Sequence, residues 1–121
     1  MSYSPIRWGY HRVSTVHGQS LELGKQELVD AGIPADKIWS EQVSGKSKEN
    51  RPELKAMLKA LQPGVEVNVC KLDRLARNTK DLLSIVEMIE EKGCHLLILD
   101  LNLDITSPSG KLILTLMGSQ A

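Results

Sequence analysis

The run HLLILDL, residues 95–101, places five leucine or isoleucine residues among seven. A strand that buries one face alternates apolar with polar side chains. A run without alternation is what a parallel strand needs when both of its faces are covered. Covering both faces takes helices, so the rest of the chain must supply them.

The pattern of the chain does so. PIRWGYHRV reads as a first strand, with Ile6, Trp8, Tyr10, Arg12 and Ser14 on one parity. SLELGKQELVDAG reads as a helix with Leu21, Leu28 and Ala31 inward, stopped by Gly32 ahead of Pro34. KIWSEQ is a second strand, and the polar VSGKSKEN is a loop. Asn50 is expected to cap the next helix, PELKAMLKAL, with Pro52 in its first turn and Glu53 at capping-box spacing. VEVNVCKL alternates Val65, Val67 and Val69 with polar partners, which suits a third strand. TKDLLSIVEMIEEKG is a helix with Leu82, Val86 and Ile89 on one stripe and Gly93 as its stop. The last strand follows, then the turn TSPSG and a final helix, KLILTLMGSQA. The sequence therefore predicts an α/β fold: three layers, with a mostly parallel central sheet and helices on both faces.

Length and charge narrow the function. At 121 residues there is room for one domain. With 15 basic and 15 acidic residues a uniformly basic nucleic-acid coat is excluded, whereas a local cationic pocket is not. Cys70 and Cys94 form no C-x-x-C, and three scattered histidines have no metal-ligand spacing, so no metal site is expected. No signal peptide and no apolar run of membrane-spanning length is visible, so the expectation is a soluble, cytoplasmic protein.

In parallel α/β folds the working residues lie beyond the carboxyl ends of the strands. Arg12 and Ser14 end the first strand, VSGKSKENR follows the second and LDRLAR follows the third. Arg12 and Ser14, two apart, share a face of their strand. Arg74 and Arg77, three apart, meet on one side if LDRLAR starts a helix. With Arg51, four guanidiniums converge on one hydroxyl. Each is a planar, permanently charged fork that matches phosphate oxygens in pairs. Such a cluster is unfavourable until an anion neutralises it, and phosphate is the natural guest. Asp73 orients the arginines or handles a proton on one reading; on the other it is a helix cap or a simple ion pair. His11 lies on the opposite strand face and no G-x-S-x-G elbow surrounds Ser14, which argues against a serine–histidine–aspartate scheme. Phosphate-binding loops of the G-x-x-x-x-G-K-[ST] and G-x-G-x-x-G types are absent.

GYHRVSTVHGQSL, SGKSKENRPEL and KLDRLARN together resemble the catalytic domain of the serine site-specific recombinases, the resolvase/invertase family. The resemblance runs from about Ile6 to the end and implies a resolvase-like fold. It implies that Ser14 attacks a DNA phosphodiester, giving a covalent 5′-phosphoserine and a free 3′ hydroxyl. It further implies that Arg12, Arg74 and Arg77 bind and activate the scissile phosphate. Arg51 joins them, after a loop carrying Ser44, and Asp73 is an active-site acid. Tyr10 and Gln19 fall within the serine motif and are expected at the phosphate or DNA. Family members need no metal and no nucleotide triphosphate; their partners are crossover-site DNA and further copies of themselves, as dimers and tetramers.

Two departures stand out. One extra residue separates Ser14 from Gln19, and Gly24 stands where the family commonly carries a glutamine, for which Lys25 or Gln26 would substitute. By resemblance, residues 1–121 are a catalytic domain that ends at the start of a long dimerisation helix, short of a DNA-binding region. Leu112, Ile113, Leu116 and Met117 are then expected to pack on the core or on a partner. The competing readings are a non-catalytic assembly or regulatory module that keeps the fold, and a serine-dependent phosphatase or esterase.

Overall fold

The computed structural model describes residues 6–14, 21–43 and 51–118 and, at Ser14, Val43, Met117 and Gly118, the backbone alone. The five strands are β1 (Ile6–Ser14), β2 (Ile38–Val43), β3 (Val65–Val69), β4 (His95–Ile98) and β5 (Leu103–Asp104). The helices are α1 (Leu21–Asp30), α2 (Pro52–Ala60), α3 (Thr79–Glu91) and α4 (Pro108–Gly118). The strand order is β2-β1-β3-β4-β5, parallel throughout except for β5, which runs antiparallel to β4.

That order reverses direction at β1. The crossover through α1 moves to one side of the sheet and those through α2 and α3 move to the other. Right-handed crossovers therefore put α1 on one face and α2 and α3 on the opposite face. Two cores result. The larger one joins Tyr10, Val65, Val67, Val69, Leu96 and Ile98 of the sheet to α2, α3 and Leu114 of α4. The smaller one joins Leu28, Ile33 and Cys70 beneath α1. In open α/β sheets ligands bind at the carboxyl ends of the strands where the order reverses, which here is between β1 and β3.

Several local expectations are revised. Ala31 is exposed in the turn after α1, and Ile33 is buried in its place. β4 is shorter than HLLILDL: after Ile98 the chain makes a 3-10 turn, Leu99–Leu101, and Asn102 at φ 48° turns it back into β5. A left-handed residue suits asparagine better than a β-branched or bulky one. LDRLAR does not open a helix as one unit. Leu72–Arg74 is a 3-10 turn, and α3 begins only at Thr79, where the Asn78 side chain accepts from the Asp81 backbone N–H.

The cap of α2 also differs. Its N-cap is Arg51, whose side chain makes no capping bond. The Glu41 carboxylate of β2 accepts from the N–H groups of Glu53 and Leu54 at 3.2 and 3.1 Å instead. Asn50 lies outside the described residues.

At the end of the chain, α4 packs its first turn against β5. A Cβ on Gly110 would meet the Asp104 carbonyl oxygen at 2.1 Å, so only glycine fits there. Leu114 faces the core, whereas Leu112, Ile113 and Leu116 are 62%, 41% and 57% exposed. The expectation that these three pack on the chain's own core does not hold, and the Met117 side chain is outside what is described.

Candidate functional site

Strand alternation sorts the site residues onto two faces. Tyr10 and Arg12 of β1 pair in register with Trp39 and Glu41 of β2 and lie on the α2 side. His11, one residue along, lies on the α1 side, against Gly24.

On the α2 side, Tyr10 is completely buried and its hydroxyl donates to the Glu41 carboxylate. Burial first, and then that carboxylate, hold the phenol well above its usual pKa, so it remains a donor. Tyr10 thereby locks the middle of β1 to β2 and, through Glu41, to the start of α2. Arg12 donates from Nη2 to the backbone carbonyl of Asp73 at 2.7 Å, tying the end of β1 to the segment after β3. Its Nε is buried and has no hydrogen-bond partner among the described residues.

Arg51 is 8% exposed and holds that segment too. Its Nη1 donates to the Leu75 carbonyl at 3.1 Å and to Asp81 at 2.8 Å, and Nη2 donates to Asp81 at 2.7 Å. Asp81 also accepts from the Arg77 backbone N–H at 3.0 Å and lies 3.9 Å from Arg77 Nε. Burial alone would raise the Asp81 pKa, but hydrogen bonds from Arg51 and Arg77 and their charges bring it below the usual carboxylate range. The bonds to Asp81 likewise raise Arg51, against its own burial. Arg51 and Arg77 are thus joined through one carboxylate, beside an open groove lined by Asp73, Arg77, Asn78 and Thr79.

Arg74 goes to the other face. It lines a cavity of about 160 Å³ with His11, Gly24, Glu27, Cys70 and Lys71. Arg12, Arg51, Asp73, Arg74 and Arg77 therefore all gather around the carboxyl ends of β1 and β3, but Arg74 approaches from the α1 side. Ser14 is the last residue of β1, paired with Val43. Gln19 and Ser44 lie outside the described residues, while Lys25 and Gln26 sit on α1, where Gln26 bonds Asp30 at 2.8 Å.

Cys70 is no competitor as a nucleophile. Burial, and then Glu27, push its thiol up to about 11, so the thiolate is scarce near neutrality. No group of three or more histidine, cysteine or acidic side chains among the described residues is placed to hold a metal ion. No helix among them is long and apolar enough to cross a membrane.

Two contributors, Asp81 and Glu41, escaped sequence reasoning. Asp81 is signalled by Asn78-x-x-Asp81, a cap spacing that moves the helix start past Arg77. Glu41 is signalled only by its strand parity with Trp39. His11 lies on the opposite strand face, as parity predicts, but its contact with Gly24 has no local signal because Gly24 is on another element.

Residues 7–121 match the family described as resolvase, N terminal domain. The chain is 37% identical over 114 residues to the Transposon Tn917 resolvase of Enterococcus faecalis, covering 94% of this chain and 60% of that one. It is 40% identical over 113 residues to the serine recombinase gin of Escherichia phage Mu, covering 93% and 56%. The chain thus spans under two thirds of the length of these relatives. The crystal structure of the N-terminal catalytic domain of TP901-1 integrase superposes with a TM-score of 0.73 at 24% identity, covering 93% and 91%. That likeness speaks to the fold.

Proposed function

The chain belongs to the resolvase N-terminal domain family, and from that premise we propose that it is the catalytic domain of a serine recombinase that breaks and rejoins DNA. In this reading the Ser14 hydroxyl attacks a DNA phosphodiester. A serine–phosphate bond forms as the bond to the 3′ oxygen breaks, leaving a 5′-phosphoserine and a 3′ hydroxyl, with the serine proton passing to solvent or to the leaving oxygen. The reverse attack, by a 3′ hydroxyl of the exchanged strand, restores the serine and the phosphodiester. One ester replaces another at each step, so no external energy source is required.

The observation that carries the reading is the pinned Arg12, two residues from Ser14. Its Nη2 is fixed on the Asp73 carbonyl while its Nε is a buried donor without a partner among the described residues. A buried, unpaired guanidinium N–H is costly, and a phosphate oxygen would satisfy it. Arg77 and Arg74 supply further positive charge from the two faces of the sheet. Preorganised donors of this kind stabilise charge developing on phosphoryl oxygens, each worth roughly 3–4 kcal/mol in oxyanion sites. Arg51, with three of its five N–H groups already donated to Leu75 and Asp81, orients Arg77 and adds its charge to the pocket. Tyr10 supports the site from within the core, and Asp73 serves through its backbone carbonyl; Gln19 and Ser44 complete the DNA side. Crossover-site DNA and further copies of the protein, in dimers and tetramers, are the partners this chemistry calls for. The exposed Leu112, Ile113 and Leu116 of α4 suit such assembly, and a bacterial or phage cytoplasm is its setting.

The test is an adduct. The full-length protein is incubated with DNA carrying paired crossover sites, digested and analysed by mass spectrometry. A nucleotide remnant on the Ser14 peptide, lost in Ser14→Ala and strongly reduced in Arg74→Ala and Arg77→Ala, is the expected result, with no loss in Lys46→Ala, which changes a lysine of the polar VSGKSKEN stretch given no role in the site. DNA binding with no adduct on any residue would favour a non-catalytic module, and hydrolysis of small phosphate esters without an adduct would favour a phosphatase.

A further inference from the structure

The mechanism above leaves His11 without a role, although its surroundings are unusual. The imidazole lies directly on α1 at Gly24: a Cβ there would stand 1.8 Å from Nε2, 2.0 Å from Cε1 and 2.4 Å from Cδ2. The ring therefore fills the space that any side chain at position 24 would need. Glycine inside a helix is unfavourable, so this helix carries a weakness at the one place where the imidazole requires it.

His11 is only 3% exposed, and neither Nδ1 nor Nε2 has a hydrogen-bond partner among the described residues. A neutral imidazole presents one N–H and one lone pair, and burying both unpaired calls for an explanation. The ring borders the cavity it shares with Glu27 of α1 and with Cys70, Lys71 and Arg74 at and beyond the end of β3. Burial first, and then the Arg74 charge, lower its pKa, with Glu27 opposing them, so the ring is neutral near pH 7. In that state its lone pair suits a guanidinium donor and its N–H suits a carboxylate. Arg74 and Glu27 border the same cavity and supply one of each.

We propose that His11, seated on Gly24, is a positioning residue for Arg74, its imidazole linking the guanidinium to the Glu27 side of the cavity and so setting where that positive charge stands beside the end of β1. Since neither ring nitrogen bonds Arg74 or Glu27 directly, the linkage runs through water, for which the cavity of about 160 Å³ has room. That the charge then serves a phosphate rests on the recombinase reading; the coupling of His11 to Arg74 does not.

NMR of the Arg74 Nε–Hε group, assigned by its loss in Arg74→Lys, separates this role from simple packing. His11→Leu fills the same space without a hydrogen-bonding group, and His11→Gln keeps one without the ability to titrate. Hydrogen exchange at Arg74 Hε should be about tenfold faster in His11→Leu and within about twofold of wild type in His11→Gln. In the wild-type protein the Arg74 signal should move with the His11 ring protons, at one midpoint below 6.5, and this co-titration should vanish in His11→Gln. An unchanged Arg74 in His11→Leu, or a His11 titration that leaves Arg74 unmoved, overturns the proposal. If His11→Leu does not fold, the wild-type titration decides alone. Ser14→Ala should leave every one of these signals in place, so failure of the nucleophile and failure of the coupling give different results.

Discussion

Asp81 shows how much a single residue can organise. Its carboxylate takes both arms of Arg51 and the backbone of Arg77, and both members of the ion pair are about nine-tenths buried. Removing it leaves the Arg51 guanidinium buried without its counter-charge, and breaking a buried pair from one side typically costs roughly 3–5 kcal/mol. Asp81→Ala should therefore lower the unfolding free energy by about that amount in urea titration. Asp81→Asn keeps one acceptor and should lose less. Adduct formation at Ser14 should fall in both variants even at temperatures where each is folded, since Arg77 loses its ion pair with the Asp81 carboxylate. Full adduct yield in a folded Asp81→Ala protein would remove this carboxylate from the site.

Elements here are joined by side chains that reach across from other elements. The first turn of α2 is capped from β2 by Glu41, which simultaneously holds the buried Tyr10 hydroxyl. A lost cap costs about 1 kcal/mol, and an unpaired buried hydroxyl adds about 1–3 kcal/mol. Glu41→Ala should thus destabilise the protein by about 2–4 kcal/mol. Hydrogen exchange should speed up first at the amides of Glu53 and Leu54. Tyr10→Phe in the Glu41→Ala background should recover part of the loss, because it removes the orphaned hydroxyl. If Glu53 and Leu54 keep wild-type protection in Glu41→Ala, another group caps the helix.

At the scale of the whole molecule, two buried titrations among the described residues, those of His11 and Asp81, make stability depend on acid. His11 has a folded pKa lowered from 6.5, so the unfolded chain binds its proton first. The associated stability is complete above 6.5 and drains away as pH falls toward the lowered value. Asp81 is likewise depressed from 3.8, so its contribution persists until pH falls below that value and is lost as the carboxylate protonates. The melting temperature should decline in two stages on acidification, one beginning near neutrality and one below about pH 4. His11→Gln should abolish the first stage and spare the second. A single decline confined to the lower range would mean that His11 titrates alike in the folded and unfolded chains.

The sequence by itself determined the layered architecture, because periodicity is a local property. The alternating valines of β3, the Leu82–Val86–Ile89 stripe of α3 and the glycine stops at Gly32 and Gly93 each act within a few residues. It also brought Arg12, Arg51, Arg74 and Arg77 to one edge of the sheet, since strand ends in a parallel fold share a side. Only the tertiary structure decided which face each arginine takes and what holds it. The turn at Leu72–Arg74 sends Arg74 to the α1 side while Arg77 remains with Asp81, and no helical spacing predicts that split. Glu41 reaching α2, Arg12 reaching the Asp73 carbonyl and His11 resting on Gly24 are contacts between elements 12, 61 and 13 residues apart or thereabouts. Their partners are set by the register of β1 against β2 and β3 and by the packing of α1, and those are properties of the folded chain alone.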